Sequence, residues 1–255
     1  MTERLDLELV RRGLVRSRSH AQAMINAGQI SVDGLIVRRA GEQVAASAAI
    51  DAPNDQYVSR GAHKLIGALD DLELSVTGRA LDAGASTGGF TEVLLARGCR
   101  EVFAVDVGSD QLAPALRADP RVRLRERTNL RDLRLDDVGG FPVDLVVADV
   151  SFISLRLLVK PLVSVTRDDG WLLLLVKPQF EVGRERLGKG GVVREPADQV
   201  QAISGVISAA AECGWHGVAV VASRPSGASG NREFFVLLRR TESVPDLDLT
   251  AVVNT

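Results

Sequence analysis

Apolar positions along the first 55 residues change their period twice. Leu5, Leu9, Val10 and Leu14 recur every three to five residues, as on one face of a helix, and Gly13 supplies a stop. Ser17 has the character of an N-cap, a second helix runs on to Ala27, and Gly28 ends it. Gln29-Ile30-Ser31-Val32 then alternates polar and apolar, as a half-buried strand does. Asp33-Gly34 is a two-residue hairpin signal, and Leu35-Ile36-Val37 returns. Residues 51–58 are polar and contain proline, so they read as a linker. Beyond it, apolar runs at 80–83, 102–105, 122–124, 144–148, 171–176, 218–222 and 234–238 alternate with helical stretches. That is the pattern of an α/β domain with a mainly parallel sheet. No helix fits between the last two runs, which predicts a final antiparallel hairpin. The expected organisation is a small α+β domain with its linker over 1–58 and an α/β domain over 59–255.

The chain has 255 residues, 45% of them hydrophobic and 25% charged, with a net charge of -2. This suffices for one large and one small folded domain and excludes a disordered chain. The longest apolar run, Trp171 to Val176, is far shorter than the roughly 20 residues of a membrane helix. No apolar signal segment opens the chain, so a cytoplasmic protein with no membrane partner is expected. Cys99 and Cys213 form no CxxC pair or Cys/His cluster, and His20, His63 and His216 share no spacing, so no metal is expected. The pattern leaves the oligomeric state open and is compatible with a monomer. Local charge is less even than the total. Between Leu9 and Ala40, Arg11, Arg12, Arg16, Arg18, Arg38 and Arg39 face a single acid, Asp33. Such an excess suggests a patch for a polyanion.

The run Arg4-Leu5-Asp6, Leu9, Gly13, Ser17-Arg18, Ala21, Ile25, Gly28, Ile30 and Val32-Asp33-Gly34 resembles an S4 RNA-binding domain over about 45 residues. The resemblance implies binding to structured RNA by shape and phosphate contacts. Arginine suits that task through its planar fork. The contact residues expected are Arg4, Arg11, Arg16, Ser17, Arg18 and Arg38, and the helix pair with its hairpin could gather Arg11, Arg16, Arg18 and Arg38 on one face.

In the larger domain Leu81-Asp82-Ala83-Gly84-Ala85-Ser86-Thr87-Gly88-Gly89-Phe90 follows the first strand and opens a helix. Glycines there permit a sharp turn and let a ligand approach the backbone. Asp106 ends the next strand, 22 residues beyond Gly84, the usual distance for an acid that bonds a ribose diol. Both a dinucleotide and S-adenosylmethionine fit this geometry. Ser86 replaces the second glycine of a dinucleotide turn, and Asp82 would repel a pyrophosphate while suiting a sulfonium and an amino group, which favours S-adenosylmethionine. The cofactor residues expected are Asp82, Gly84, Ser86, Thr87, Gly88, Gly89, Phe90, Asp106, Asn129 and Asp149.

Four charged residues stand where an α/β sheet presents chemistry. Asp149 ends a strand, Lys177 follows the next, Glu233 opens the last, and Lys64 lies just ahead of the domain. The chain has only four lysines, Lys64, Lys160, Lys177 and Lys189, so two of them at such places is notable. Methylation of a sugar hydroxyl needs a proton acceptor, which a lysine can supply, and in-line positioning, but no metal.

The segments Ser59-Arg60-Gly61-Ala62-His63-Lys64-Leu65, Asp82 to Thr91, Ala148 to Ser154, Lys177 to Gly183, Gly190 to Val193 and Gly230 to Phe234 together resemble the TlyA, or haemolysin A-like, family. The resemblance covers nearly the whole chain. It implies an S4 domain fused to a class I (Rossmann-like) methyltransferase domain of the FtsJ type, with a mainly parallel seven-stranded sheet. It implies a catalytic set of Lys64, Asp149, Lys177 and Glu233, with Lys177 as general base. The implied substrate is a cytidine 2′-hydroxyl in ribosomal RNA of one or both subunits, and in some members methylation affects tuberactinomycin sensitivity. Tyr57 stands in the linker where mycobacterial members carry tryptophan. Phe152 and Phe180 could stack on a base or pack in the core, and 226–231 could be a substrate loop or a plain turn. Two other functions were weighed against the enzyme: a non-catalytic ribosome-assembly factor, and a membrane-lytic protein, which the lack of a spanning segment disfavours.

Overall fold

The computed structural model describes residues 2–15, 18–52, 57–188, 190–224 and 230–255. Arg16, Ser17, Lys189, half of the 51–58 linker and most of the 226–231 loop lie outside them. The chain forms two compact units, Met1–Gln56 and Tyr57–Thr255.

In the first unit β1 (Thr2–Arg4) leads into α1 (Leu5–Arg11) and α2 (Arg18–Asn26). The hairpin β2 (Ile30–Val32) and β3 (Leu35–Val37) follows, then β4 (Gln43–Ala45) and β5 (Ile50–Asp51). Helix spacing puts Leu5 and Leu9 on one face of α1, where they meet Ala21 and Ile25 of α2 and Ile30 of β2, all fully buried. Gly13 and Gly28 take φ of 69° and 70° beyond the two helices. Asp33 and Gly34 take φ of 50° and 82°, both positive as a type I′ turn demands. The pairing of β1 with β4 was not expected, because three-residue strands leave too little alternation to read.

The second unit opens with α3 (Arg60–Asp71), then β6 (Gly78–Ala83), α4 (Gly89–Arg97), β7 (Cys99–Val105), α5 (Pro114–Ala118) and β8 (Val122–Arg125). It continues with β9 (Val143–Ala148), α6 (Val159–Ser164), β10 (Thr166–Val176), α7 (Pro178–Glu181) and α8 (Pro196–Ala211). It ends with β11 (His216–Ala222), β12 (Phe234–Arg239) and α9 (Leu249–Asn254). Among the described residues seven strands form one sheet in the order β8-β7-β6-β9-β10-β12-β11. The pairs from β8 through β10 are parallel, and β12 runs antiparallel to both β10 and β11. The expected final hairpin is therefore present. Val146, Leu172 and Leu174 bury toward α6 and α8, while Leu145, Val147, Leu173 and Leu175 bury toward α3 and α4. Two covered faces explain why these strands read as unbroken apolar runs. Among the described residues no helix is long and apolar enough to cross a membrane.

The order reverses direction between β6 and β9, and the carboxyl ends of strands at such a switch point frame a crevice. The packing beneath it is tight. Leu145→Ala, in the central β9, is expected to cost about 2–5 kcal/mol of unfolding free energy, read by urea denaturation.

Candidate active site

The register of the sheet brings three of the four charged residues to one edge. Val176 of β10 faces Phe234 of β12, so one further step sets Lys177 beside Glu233. Leu174 faces Ala148 of β9, so Asp149 emerges next to the same end of β10. Lys64 is not ahead of the domain but within α3, whose apolar face is Ala62, Leu65, Ala68 and Leu69. The four residues form two ion pairs. Lys177 Nζ lies 2.6 Å from Asp149 Oδ1 and donates to Ser151 Oγ at 2.9 Å. Lys64 Nζ donates to Glu233 Oε2 at 2.5 Å. Both lysines and Glu233 are buried. An ammonium buried at such a site is tolerable because a carboxylate partners it.

The glycine turn fills the space between β6 and α4. Gly84 has φ of 87°, and a Cβ there would stand 2.8 Å from the Asp149 carbonyl oxygen, so only glycine fits. Ser86 N–H and Gly108 N–H donate to the two oxygens of Asp106, at 2.8 and 2.7 Å, which fixes that carboxylate at the end of β7. Gly88 is needed for a different reason from the one expected. Its φ is 98° and a Cβ would strike Leu112 and Leu116, so it serves packing and lines neither cavity described below.

Two cavities meet at Gly84, Ser86, Asp149 and Ser151. The larger, about 540 Å³, runs past Asp106, Gln111, Asn129 and Phe152. The smaller, about 200 Å³, is lined by Asp82, Thr87, Gly89, Phe90 and Lys177, and also by Ser59 and Gly61 of the α3 entry. Asn129 caps a short turn by accepting from Arg131 N–H at 3.1 Å. Phe90 is nearly buried against Phe235, with ring centres 6.1 Å apart.

Asp82 is fully buried at the floor of the smaller cavity. Its Oδ2 accepts from Thr91 Oγ1 at 2.7 Å, while Oδ1 takes no hydrogen bond among the described residues. Burial pushes this carboxyl up to about 7, against the Thr91 hydrogen bond and with added repulsion from Asp149 and Asp106. A buried oxygen without a partner, beside a cradle that excludes any Cβ, fits a ligand carrying a cationic group. Asp106, 20 residues along the chain from Ser86, lines the larger cavity.

The segment after Asp149 is held by a residue that sequence reasoning missed. Glu181, buried in α7, accepts from Ser154 Oγ at 2.6 Å and from Leu155 N–H at 2.7 Å. Arg156 donates back to the Glu181 carbonyl at 3.2 Å. This latch ties the 149–156 segment to the helix that follows Lys177. It brackets Phe152, which has φ of 65°, is 92% exposed and packs its ring 5.3 Å from that of Phe180. Ser59, Gly61, Gln111 and Ser151 were likewise missed as lining residues, although Ser59 and Gly61 sit in a motif the sequence displays.

In the first unit the predicted arginines are divided. Arg4 and Arg18 bond Asp6, and Arg11 bonds Glu8. Asp6 and Glu8 are about 160° apart around α1, on opposite flanks of its buried face, so Arg11 and Arg18 do not share one cluster. Arg38 lies against Gly28 at the end of α2. Arg16 and Ser17 are outside the described residues.

The pattern of FtsJ-like methyltransferases matches residues 57–240, and that of the S4 domain matches residues 3–50. The 16S/23S rRNA (cytidine-2'-O)-methyltransferase TlyA of Mycobacterium tuberculosis is 51% identical, over 92% of this chain and 89% of that protein. The 23S rRNA (cytidine-2'-O)-methyltransferase TlyA of Campylobacter jejuni is 34% identical, over 73% of this chain and 72% of its own. A solved structure described as a hemolysin from Streptococcus thermophilus superposes with a TM-score of 0.78 at 36% identity, covering 99% of this chain and 94% of the other.

The raised Asp82 carboxyl has a measurable consequence. The native chain keeps a proton that the unfolded chain releases near 3.8, so this group makes stability fall as pH rises from there to about 7, then level. Asp82→Asn is expected to remove that contribution, so its gain in stability over the parent is larger at pH 8 than at pH 5 by urea unfolding. An equal gain at both pH values contradicts the assignment.

Proposed function

For a chain that belongs to the TlyA family, with an FtsJ-like methyltransferase domain behind an S4 domain, we propose S-adenosylmethionine-dependent methylation of a cytidine 2′-hydroxyl in ribosomal RNA. The observation that carries the catalytic assignment is the Lys177–Asp149 contact lining the glycine cradle, with the buried Lys64–Glu233 pair next to it in the sheet. S-adenosylmethionine brings a methyl group already activated on a sulfonium, so the protein need only bind, orient and move one proton. Asp82 Oδ1 would take the amino cation, Gly84 and Ser86 would let the cofactor approach the backbone, Asp106 would bond the ribose and Asn129 would close the far end. Thr87, Gly89 and Phe90 shape the near wall.

With its own proton released, the neutral Lys177 amine would accept the proton of the 2′-hydroxyl as that oxygen takes the methyl group and the methyl–sulfur bond breaks, leaving the cofactor as a neutral thioether. Asp149 and Ser151 aim that nitrogen, and the Lys64–Glu233 pair lies beside it through the β10–β12 register. Much of the rate comes from holding the hydroxyl in line. The Phe152–Phe180 pair offers an aromatic face next to Lys177 on which a base can stack. The first unit supplies RNA contacts through Arg4, Arg11, Arg18 and Arg38, together with Arg16 and Ser17 from the sequence. A protein acting on ribosomal RNA would work in the cytoplasm.

Lys177→Ala is expected to lower methyl transfer from radiolabelled S-adenosylmethionine to unmodified ribosomal subunits or naked rRNA by about 10²–10⁴-fold, with cofactor affinity kept. Lys177→Arg should not rescue it, because a guanidinium keeps its proton. Wild-type chain that binds cofactor yet labels no rRNA overturns the reading. Gly84→Ala is expected to weaken cofactor binding by at least about tenfold, the scale of forcing a side chain into positive φ, as read by calorimetry.

A further inference from the structure

The first unit buries an acid under its basic surface. Asp6 is fully buried, and both its oxygens are engaged by arginine. Arg4 grips it with a fork, Nε to Oδ1 and Nη2 to Oδ2, each at 3.0 Å. Arg18 Nε reaches Oδ2 at 2.9 Å from the start of α2, and Gln22 Nε2 reaches the same oxygen at 2.9 Å one turn later. The Arg4 contact holds the carboxyl well below the usual range against the opposing effect of burial. Two guanidinium groups from different elements thus sit side by side on one carboxylate while 40% and 53% of their side chains stay exposed.

An acid at this place opposes attraction of a polyanion, so simple charge accumulation does not explain it. The other acid of α1 shows what a purely structural version looks like. Glu8 also gathers two arginines, Arg11 through a fork and Arg12, but Arg12 is mostly covered and donates to the carbonyls of Ala48 at 2.7 Å and Ala46 at 2.9 Å, stapling the helix to the loop after β4. At Asp6 neither arginine is spent on such a staple, and both remain in contact with water. Two flexible cations that would repel each other are thus fixed in register before any ligand arrives.

We propose that Arg4 and Arg18, gathered on Asp6, form a two-guanidinium seat for one phosphate group of structured RNA, with Asp6 as the positioning residue. This rests on the reading that the S4 unit binds RNA, and it makes a prediction opposite to that of charge alone. Asp6→Asn raises the net charge by one yet weakens RNA binding.

The test titrates the full chain with unmodified 23S rRNA transcript at several salt concentrations. Asp6→Asn and Arg18→Lys are each expected to bind about 5–10-fold more weakly across the salt series. Arg18→Lys preserves charge at an exposed position, so it decides the matter even where Asp6→Asn disturbs the fold. Unchanged affinity for Arg18→Lys, or unchanged or tighter binding by a folded Asp6→Asn chain, overturns the seat. Wild-type chain that fails to bind the transcript overturns the RNA-binding reading itself, and the seat with it.

Discussion

Everything in the larger unit is arranged around the need to keep two ammonium groups buried. A lysine withdrawn from water is costly unless a carboxylate stands against it. Here each has one, at 2.5 and 2.6 Å. The partners come from four separate elements, so the pairs exist only if several registers hold at once. Lys177 and Glu233 depend on the antiparallel match of β10 with β12, Asp149 on the parallel match of β9 with β10, and Lys64 on the packing of α3 against the sheet. The dense apolar core on both faces supplies the rigidity that such spacing requires.

The cradle obeys the same logic with the opposite sign. Asp82 is a buried carboxyl whose second oxygen lacks a partner, and its raised proton affinity reflects that want. Binding of a cation would relieve it. The fold thus holds one acid that a ligand completes beside two lysines already completed by acids. The Glu181 latch joins these halves, because it ties the segment leaving β9 to the helix leaving β10 and holds Phe152 in an unfavourable backbone conformation at the rim.

Much of this was legible in the sequence for identifiable reasons. Strand runs buried on both faces are unmistakable, Asp33-Gly34 specifies its turn, and a strand–glycine–helix passage with Asp106 at the next strand end marks a nucleoside site. Lysine is so scarce in this chain that Lys64 and Lys177 stood out. What was not legible depends on three-dimensional paths. Ser151 and Glu181 matter only because the chain turns back at Phe152. Gly88 looked like a ligand-facing glycine and proved to be one that two leucines leave no room to replace. Asp6 stood in the sequence only as part of the Arg4-Leu5-Asp6 run, outside the basic patch, whereas the structure makes it the point on which two arginines are hung.

The most direct test of the account is the identity of the methylated nucleoside. Unmodified rRNA incubated with the chain and S-adenosylmethionine would be digested to nucleosides and resolved by mass spectrometry. Paired lysines and carboxylates poised for proton transfer from a sugar hydroxyl predict 2′-O-methylcytidine. A methyl group found on a base instead would contradict the assignment of the site.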